Sequence, residues 1–312
     1  MSSPRRALLL LVVADAAALH GTWLRVRDTT LRAQKRLDYD HLYHIGSPVD
    51  VFKHCVLTAL LRRCTEKASP LTYAETHAGR GLYPFDSEEA ATLSEFEDGY
   101  HKLRGRAEGR EKLHADIAAY LAAQRPDEYV GSAALAALAL REGDRGVFFE
   151  RDSEFAAALT DALTRLGGTF TVEARDGYAG TKKLRIATRG LVFVDPPYQS
   201  GSDTDLIAAL CGHLKQYWRA ARIAVWYPRG DGADARTERL RDAVLAATGE
   251  FDVLDAHLTV PGDASTTRLR SSGMQLVQPP YGFDDDLGEL LPELADLLAA
   301  GGAADVAWLR RS

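Results

Sequence analysis

Apolar residues fall at Val51, Phe52, Cys55, Val56, Ala59 and Leu60, three and four positions apart, and this spacing predicts a helix. Ser47-Pro48-Val49-Asp50 supplies its start. Ser47 suits the N-cap, Pro48 the first helical position, and Asp50 can reach back as in a capping box. Asp50 and His54 lie one turn apart on another face. Beyond this helix the period changes. Short apolar and β-branched runs predict strands at 71–76, 146–150, 169–174, 191–194, 222–227, 251–260, 273–278 and 304–309. Helical spacing predicts helices over 131–140, up to 166, 203–220, 235–248 and 285–300. The stretch 86–125 is polar and helix-prone with no strand pattern, which predicts a helical insertion. Strands alternating with helices imply an α/β fold, with a mostly parallel sheet covered on both faces. The folded unit begins near Tyr39, and no internal repeat is present.

In such sheets, ligands bind beyond the carboxyl ends of the strands. Glu75, Glu150, Asp176 and Asp195 each fall at or just past such an end. Their succession is a pattern, although any one of them alone could be a solvated strand end. Glycines in His77-Ala78-Gly79-Arg80-Gly81 would let the backbone approach a ligand closely. The full dinucleotide-binding glycine triplet is absent. So is the phosphate-binding loop with Gly-Lys-Ser/Thr, which argues against nucleotide hydrolysis. Asp195-Pro196-Pro197-Tyr198 is the strongest motif. Two prolines after an apolar strand end the ladder and fix a rigid turn. The Asp195 carboxylate and the Pro196 carbonyl can accept both hydrogens of an exocyclic amine, and Tyr198 can stack on its base. This arrangement resembles motif IV of the amino-methyltransferases. On that reading Glu150 is placed for ribose hydroxyls and Asp176 for an adenine amino group, the roles of S-adenosylmethionine contacts. Pro279-Pro280-Tyr281 looks similar, but Gln278 precedes it and is no carboxylate, so it reads as structural.

Composition narrows the alternatives. Of 312 residues 46% are apolar, enough for a real core, so wholesale disorder is excluded. Three cysteines without Cys-x-x-Cys spacing exclude a disulfide scaffold and a Cys₄ zinc site. No apolar run reaches the length of a membrane span, so no membrane association is expected. His41 and His44 are spaced like metal ligands, but nothing completes a set, and no metal is expected. The net charge of −6 offers no bulk attraction for nucleic acid. That charge is uneven: residues 1–38 carry seven Lys and Arg against three Asp. Arg5-Arg6, the apolar run from Ala7 to Val13 and the small residues after it outline a targeting segment, which Asp15 weakens. A buried terminal element or a misassigned start is the other reading.

From Tyr39 onward the chain resembles the RlmJ family, the 23S ribosomal RNA adenine-N6 methyltransferases. The motifs that carry this run in order. They are Tyr39-x-His41-x-x-His44-x-Gly46, Asp50-Val51-x-Lys53-His54, Thr76-His77-Ala78-Gly79-x-Gly81, Gly131-Ser132, Asp176-Gly177, Asp195-Pro196-Pro197-Tyr198, Trp226-Tyr227-Pro228 and Ser272-Gly273-Met274. The resemblance implies a Rossmann-like class I methyltransferase fold over 39–312, with a helical insertion at about 83–130 and an extension over 1–38. It implies S-adenosyl-L-methionine contacts at His54, His77, Ser132, Glu150, Asp176, Gly177 and Asp195. Catalysis falls to Asp195, Pro196 and Tyr198, and substrate contact to Tyr39, Lys53 and Tyr198. The implied partner is large-subunit ribosomal RNA, met by a monomer in the cytoplasm of a bacterium, or in an organelle if residues 1–38 are an address. An adenine-N6 methyltransferase of DNA and a catalytically silent RNA-binding relative are the alternatives. Ser47-Pro48, Glu75 and Gln278 depart from the family's usual Asn-His, Asp and Asn. None of these removes an implied site residue.

Overall fold

The structure is a computed structural model, described here for residues 40–167, 170–184, 186, 189–199, 201–230, 234–261 and 269–311. The extension over 1–38 and Tyr39 lie outside the described residues. Eight strands form one sheet in the order β10-β8-β9-β7-β6-β1-β4-β5. They are β1 Leu71–Glu75, β4 Arg145–Glu150, β5 Phe170–Ala174, β6 Arg189–Val194, β7 Ala221–Arg229, β8 Val253–Thr259, β9 Ser271–Val277 and β10 Ala303–Arg310. β1 pairs in parallel with β4 and β6, β4 with β5, and β6 with β7. β9 is inserted antiparallel between β7 and β8, and β10 runs antiparallel along β8. From β1 the chain builds outward to β4 and β5, then crosses back to β6 and β7. The point where strand order reverses therefore lies between β1 and β6, and such a crevice is where open α/β sheets take ligands.

Side-chain alternation along the central strands divides the core in two. Leu191 and Phe193 of β6 join Tyr73 and Phe148 under α1 (Pro48–Thr65), α5 (Ser132–Ala139) and α10 (Phe283–Leu298). Val192 and Val194 join Ile223 and Val225 under α8 (Asp203–Tyr217) and α9 (Asp234–Thr248). Strands covered on both faces need apolar residues at every position, which explains the unbroken run in β6. Helix α6 (Ser153–Arg165) links β4 to β5.

Two features were hidden from the sequence pattern. β2 (Leu82–Pro84) and β3 (Glu128–Val130) form a separate antiparallel pair, each strand too short to show a period. Between them run α2 (Glu88–Leu93), a π-helical turn at Glu97–His101, α3 (Lys102–Ala107) and α4 (Ala115–Ala123). The second is α7 (Gly177–Lys183), whose glycines at its first and fourth positions mask its helical character. No helix among the described residues is long and apolar enough to cross a membrane.

Candidate active site

The site is assembled at the carboxyl ends of β1, β4, β5 and β6. β1 ends in Glu75, which is fully buried. The turn after it returns to its neighbours: Thr76 N–H donates to the Phe193 carbonyl and Ala78 N–H to the Phe149 carbonyl. Gly79 has φ +60°, a left-handed conformation that favours glycine, and its N–H donates to Glu150 Oε2 at 3.0 Å. Glu150 Oε1 accepts from Asp152 N–H at 2.9 Å, so the acid ending β4 locks the glycine turn in place. Burial pushes the Glu150 carboxyl above its ordinary range, against these backbone bonds. The Gly131 N–H donates to the Gly81 carbonyl, and the β2–β3 pair continues that contact. This small sheet delivers Ser132, the first residue of α5, to Glu75: Ser132 Oγ lies 2.6 Å from Glu75 Oε1.

Past β5, Asp176 caps α7 by accepting from Ala179 N–H at 2.7 Å. Gly177 is required by a close approach, since a Cβ there would lie 1.8 Å from the Thr76 carbonyl oxygen. α7 thus starts directly against the turn after β1. Tyr178 next to it meets the His77 ring edge-on, with centroids 5.0 Å apart. His77 Nδ1 shares a 2.8 Å hydrogen bond with Thr76 Oγ1, and burial pushes its pKa down, which favours the neutral ring.

Helix α1 covers the crevice and supplies its cation. Ser47 caps it, accepting from Asp50 N–H at 3.3 Å. Asp50 does reach back, but to Gly46 N–H at 3.0 Å, one residue beyond the expected cap position. The buried Lys53 ammonium sits 2.7 Å from Asp50 Oδ1 and 2.7 Å from Asp195 Oδ2. One ammonium therefore bridges the first helix and the turn after β6. Burial opposes a charge on Asp50, but the Lys53 ammonium and His41 overcome it and hold the carboxyl well below the usual range. His54, fully buried, shares a 2.7 Å hydrogen bond through Nδ1 with the Tyr129 hydroxyl, which in turn meets the Tyr120 hydroxyl at 3.0 Å. Burial pushes His54 down to about 3, so it is neutral, and its Nε2 is buried without a hydrogen-bond partner.

The turn after β6 presents Asp195, with Pro196 buried behind it. Tyr198 has φ +54°, and its hydroxyl donates to the Trp226 carbonyl of β7 at 2.6 Å. The Lys53 ammonium lies 5.4 Å from the centre of the Trp226 ring. The look-alike turn is elsewhere. β9 runs against β7, with Val277 opposite Ile223 near the start of β7, so Gln278 emerges at the opposite edge of the sheet. There Gln278 Oε1 accepts from Lys215 Nζ at 2.8 Å, and Tyr281 is exposed. Gln278→Ala should therefore leave the chemistry of the Asp195 site within about twofold of wild type. A rate assay beside Asp195→Ala checks this, and equal damage from the two would refute it.

The model of the family described as "Ribosomal RNA large subunit methyltransferase D, RlmJ" matches residues 68–310. The chain belongs to the RlmJ family. The ribosomal RNA large subunit methyltransferase J of Escherichia coli is 31% identical over 88% of this chain and 99% of that protein. Its namesake from Haemophilus influenzae is 29% identical over the same shares. The crystal structure of protein LPL1258 from Legionella pneumophila is similar in fold, with a TM-score of 0.75 at 24% identity over 84% of this chain and 97% of that one.

Against the RlmJ pattern, the structure brings Lys53, Asp195, Ser132, Glu150, His77 and Gly177 to one edge of the sheet, with His54 on the helix above. Asp176 joins them as a helix cap. Asp50, expected to start the helix and to share a face with His54, also anchors Lys53. The Trp226 carbonyl that holds Tyr198 was missed altogether. A backbone acceptor leaves no signature in residue type. Among the described residues no group of His, Cys, Asp and Glu is arranged to hold a metal ion.

Proposed function

We propose that this chain transfers a methyl group from S-adenosyl-L-methionine to N6 of one adenine in large-subunit ribosomal RNA. The observation that carries the reading is the Asp195-Pro196-Pro197-Tyr198 turn at the strand-order reversal, with its carboxylate held 2.7 Å from Lys53 Nζ.

The donor set suits the cofactor. Glu150 at the end of β4 has lone pairs left for ribose hydroxyls after its two backbone bonds. Asp176 at the end of β5 can take an adenine amino group, and Gly177 lets α7 close against that edge. His54 Nε2 is a buried polar atom in need of a partner beside Lys53. When bound, the cofactor supplies a methyl group on a positively charged sulfur.

The chain's own residues do the rest. A base inside a duplex is out of reach of a recessed carboxylate, so the adenine must leave its stack. The Asp195 carboxylate and Pro196 carbonyl accept the two N6 hydrogens, which turns the nitrogen lone pair out of the ring system. Positive charge grows on N6 during attack, and the Asp195 charge stabilises it in place, without reorganisation. Lys53 fixes the direction of that carboxylate. The Tyr198 ring, tethered at its hydroxyl, offers a stacking face whose orientation is set before the base arrives.

The test is transfer of tritiated methyl from S-adenosylmethionine to ribosomal RNA that lacks the modification, followed by mapping. Label at N6 of one large-subunit adenine is expected. Label on DNA alone, or none on RNA in spite of cofactor binding, would overturn the reading.

A further inference from the structure

The sheet edge that carries the site is not level. β6 ends at Val194, opposite Val225, and the catalytic turn leaves from there. β7 runs on for four more residues to Arg229, paired with β9 as far as Ser271. β9 in turn pairs with β8 up to Ser271 opposite Thr259. A wall of antiparallel strands therefore rises beyond the turn, on the side away from β4 and β5. Tyr198 is tied to this wall through the Trp226 carbonyl. Arg229 stands three residues past Trp226, about 10 Å further at the rise of a strand.

A chain with a net charge of −6 must attract RNA through local cations, because its overall charge repels phosphate. The wall and the helix after it supply them. Arg229 closes β7, and Arg236 and Arg239 are exposed at the start of α9, three positions apart and so neighbours on its surface. Arg229 and Arg241 both face the Tyr227 hydroxyl, which brings the end of β7 and the start of α9 together. Among the described residues no carboxylate pairs with Arg229, Arg236 or Arg239. The acids nearby are engaged elsewhere: Asp242 lies 3.6 Å from Arg241, Asp255 accepts from the Tyr227 hydroxyl at 2.8 Å, and Asp98 lies 3.8 Å from Arg270. Glu238 is one and two positions from the exposed arginines, spacings that do not face each other on a helix. Resting on the methyltransferase reading above, we propose that the end of β7 and the start of α9 form the docking surface for the RNA strand that carries the target adenine. Arg229, Arg236 and Arg239 hold the phosphates beside the nucleotide that leaves its stack. The planar guanidinium fork matches phosphate oxygens. Such contacts fix position and register without reading sequence, so this surface sets the adenine over Asp195 and leaves the choice of base to the site. The cofactor contacts proposed above lie on the other side of the turn, so the surface is silent toward the cofactor.

The test is methylation of a ribosomal RNA fragment by the full chain and by a variant carrying Arg229→Ala, Arg236→Ala and Arg239→Ala, across a salt series. Each phosphate contact to a single strand contributes about 0.7 to the slope of log affinity against log salt, so the variant's slope should be flatter by about two. Its KM for RNA should rise about tenfold or more at about 50 mM salt. The single-turnover rate at saturating RNA and the calorimetric affinity for S-adenosylmethionine should match wild type. A second variant removes the same charge at the opposite edge of the sheet, with Lys67→Ala, Arg145→Ala and Arg219→Ala, and should keep the wild-type KM and slope. An unchanged KM and slope in the first variant, or equal losses in both, overturns the proposal and leaves the methyltransferase reading standing. So does a wild-type dimer in sedimentation that the first variant breaks, which would give this surface to a second copy of the chain. Cofactor binding without methylation of RNA by wild type overturns both.

Discussion

Asp195→Ala should lower the single-turnover rate of methyl transfer by about 10²-fold or more, the scale of losing one preorganised electrostatic contact. The loss should fall on the rate at saturating cofactor and RNA, since the charge matters most as N6 becomes positive in the transition state. Asp195→Asn keeps the shape and one acceptor oxygen, and should be the milder change. Neither should unfold the protein. Asp195 keeps 13% of its side chain exposed, and Lys53 keeps Asp50 as a partner without it. A melting curve beside each rate separates chemistry from folding. A near-wild-type rate for Asp195→Ala would remove the chemistry from this strand end.

Lys53→Met should cost the fold more than any change at the turn. Its ammonium is the buried cation between two carboxylates, and Asp50 is 98% removed from solvent. Removing one partner of a buried ion pair typically costs about 3–5 kcal/mol, because the remaining charge stays buried. For a chain of this size that corresponds to a drop in melting temperature on the order of 10 °C. The pH dependence has a definite sign. In wild type the Asp50 carboxyl lies well below its ordinary range, so its contribution to stability is present above that range and lost as pH falls through the lowered value. Without Lys53 the carboxyl rises and the loss begins at a higher pH. Melting of both proteins between pH 4 and 8 checks this. A variant as stable as wild type across that window would show that His41 and Gly46 suffice to hold Asp50.

The elements that proved legible in the sequence are those whose burial is one-sided or complete. β6 reads as a strand because both faces are covered, and α1 reads as a helix because its apolar residues recur three and four positions apart, although burial extends almost all round it. β2 and β3 stayed hidden because three residues carry no period, and α7 because its glycines serve close packing, Gly177 against Thr76 and Gly180 against Phe149. At the site the carboxylates were legible as strand-end acids, since topology alone places them at one edge. Their partners were not. Lys53 meets Asp195 across 142 positions, and Ser132 meets Glu75 across 57. Spacing within a motif says nothing about such pairs. Gln278 shows the complement: the Pro-Pro-Tyr signal recurs after it, the missing carboxylate sets it apart in the sequence, and strand direction puts it at the other end of the sheet.

The separation between Lys53 and Asp195 also sets an order of events during synthesis. A chain emerging from the ribosome presents α1, with Lys53 and Asp50 on it, long before β6 exists. Contacts this distant in sequence close late, because their loop entropy is offset only once the intervening strands have paired. Products that stop short of Asp195 can pair β1 with β4 and β5 and carry Lys53, Ser132, Glu150 and Asp176, but lack the carboxylate that Lys53 meets. The partner of Lys53 thus arrives with a single strand, after the elements that surround it.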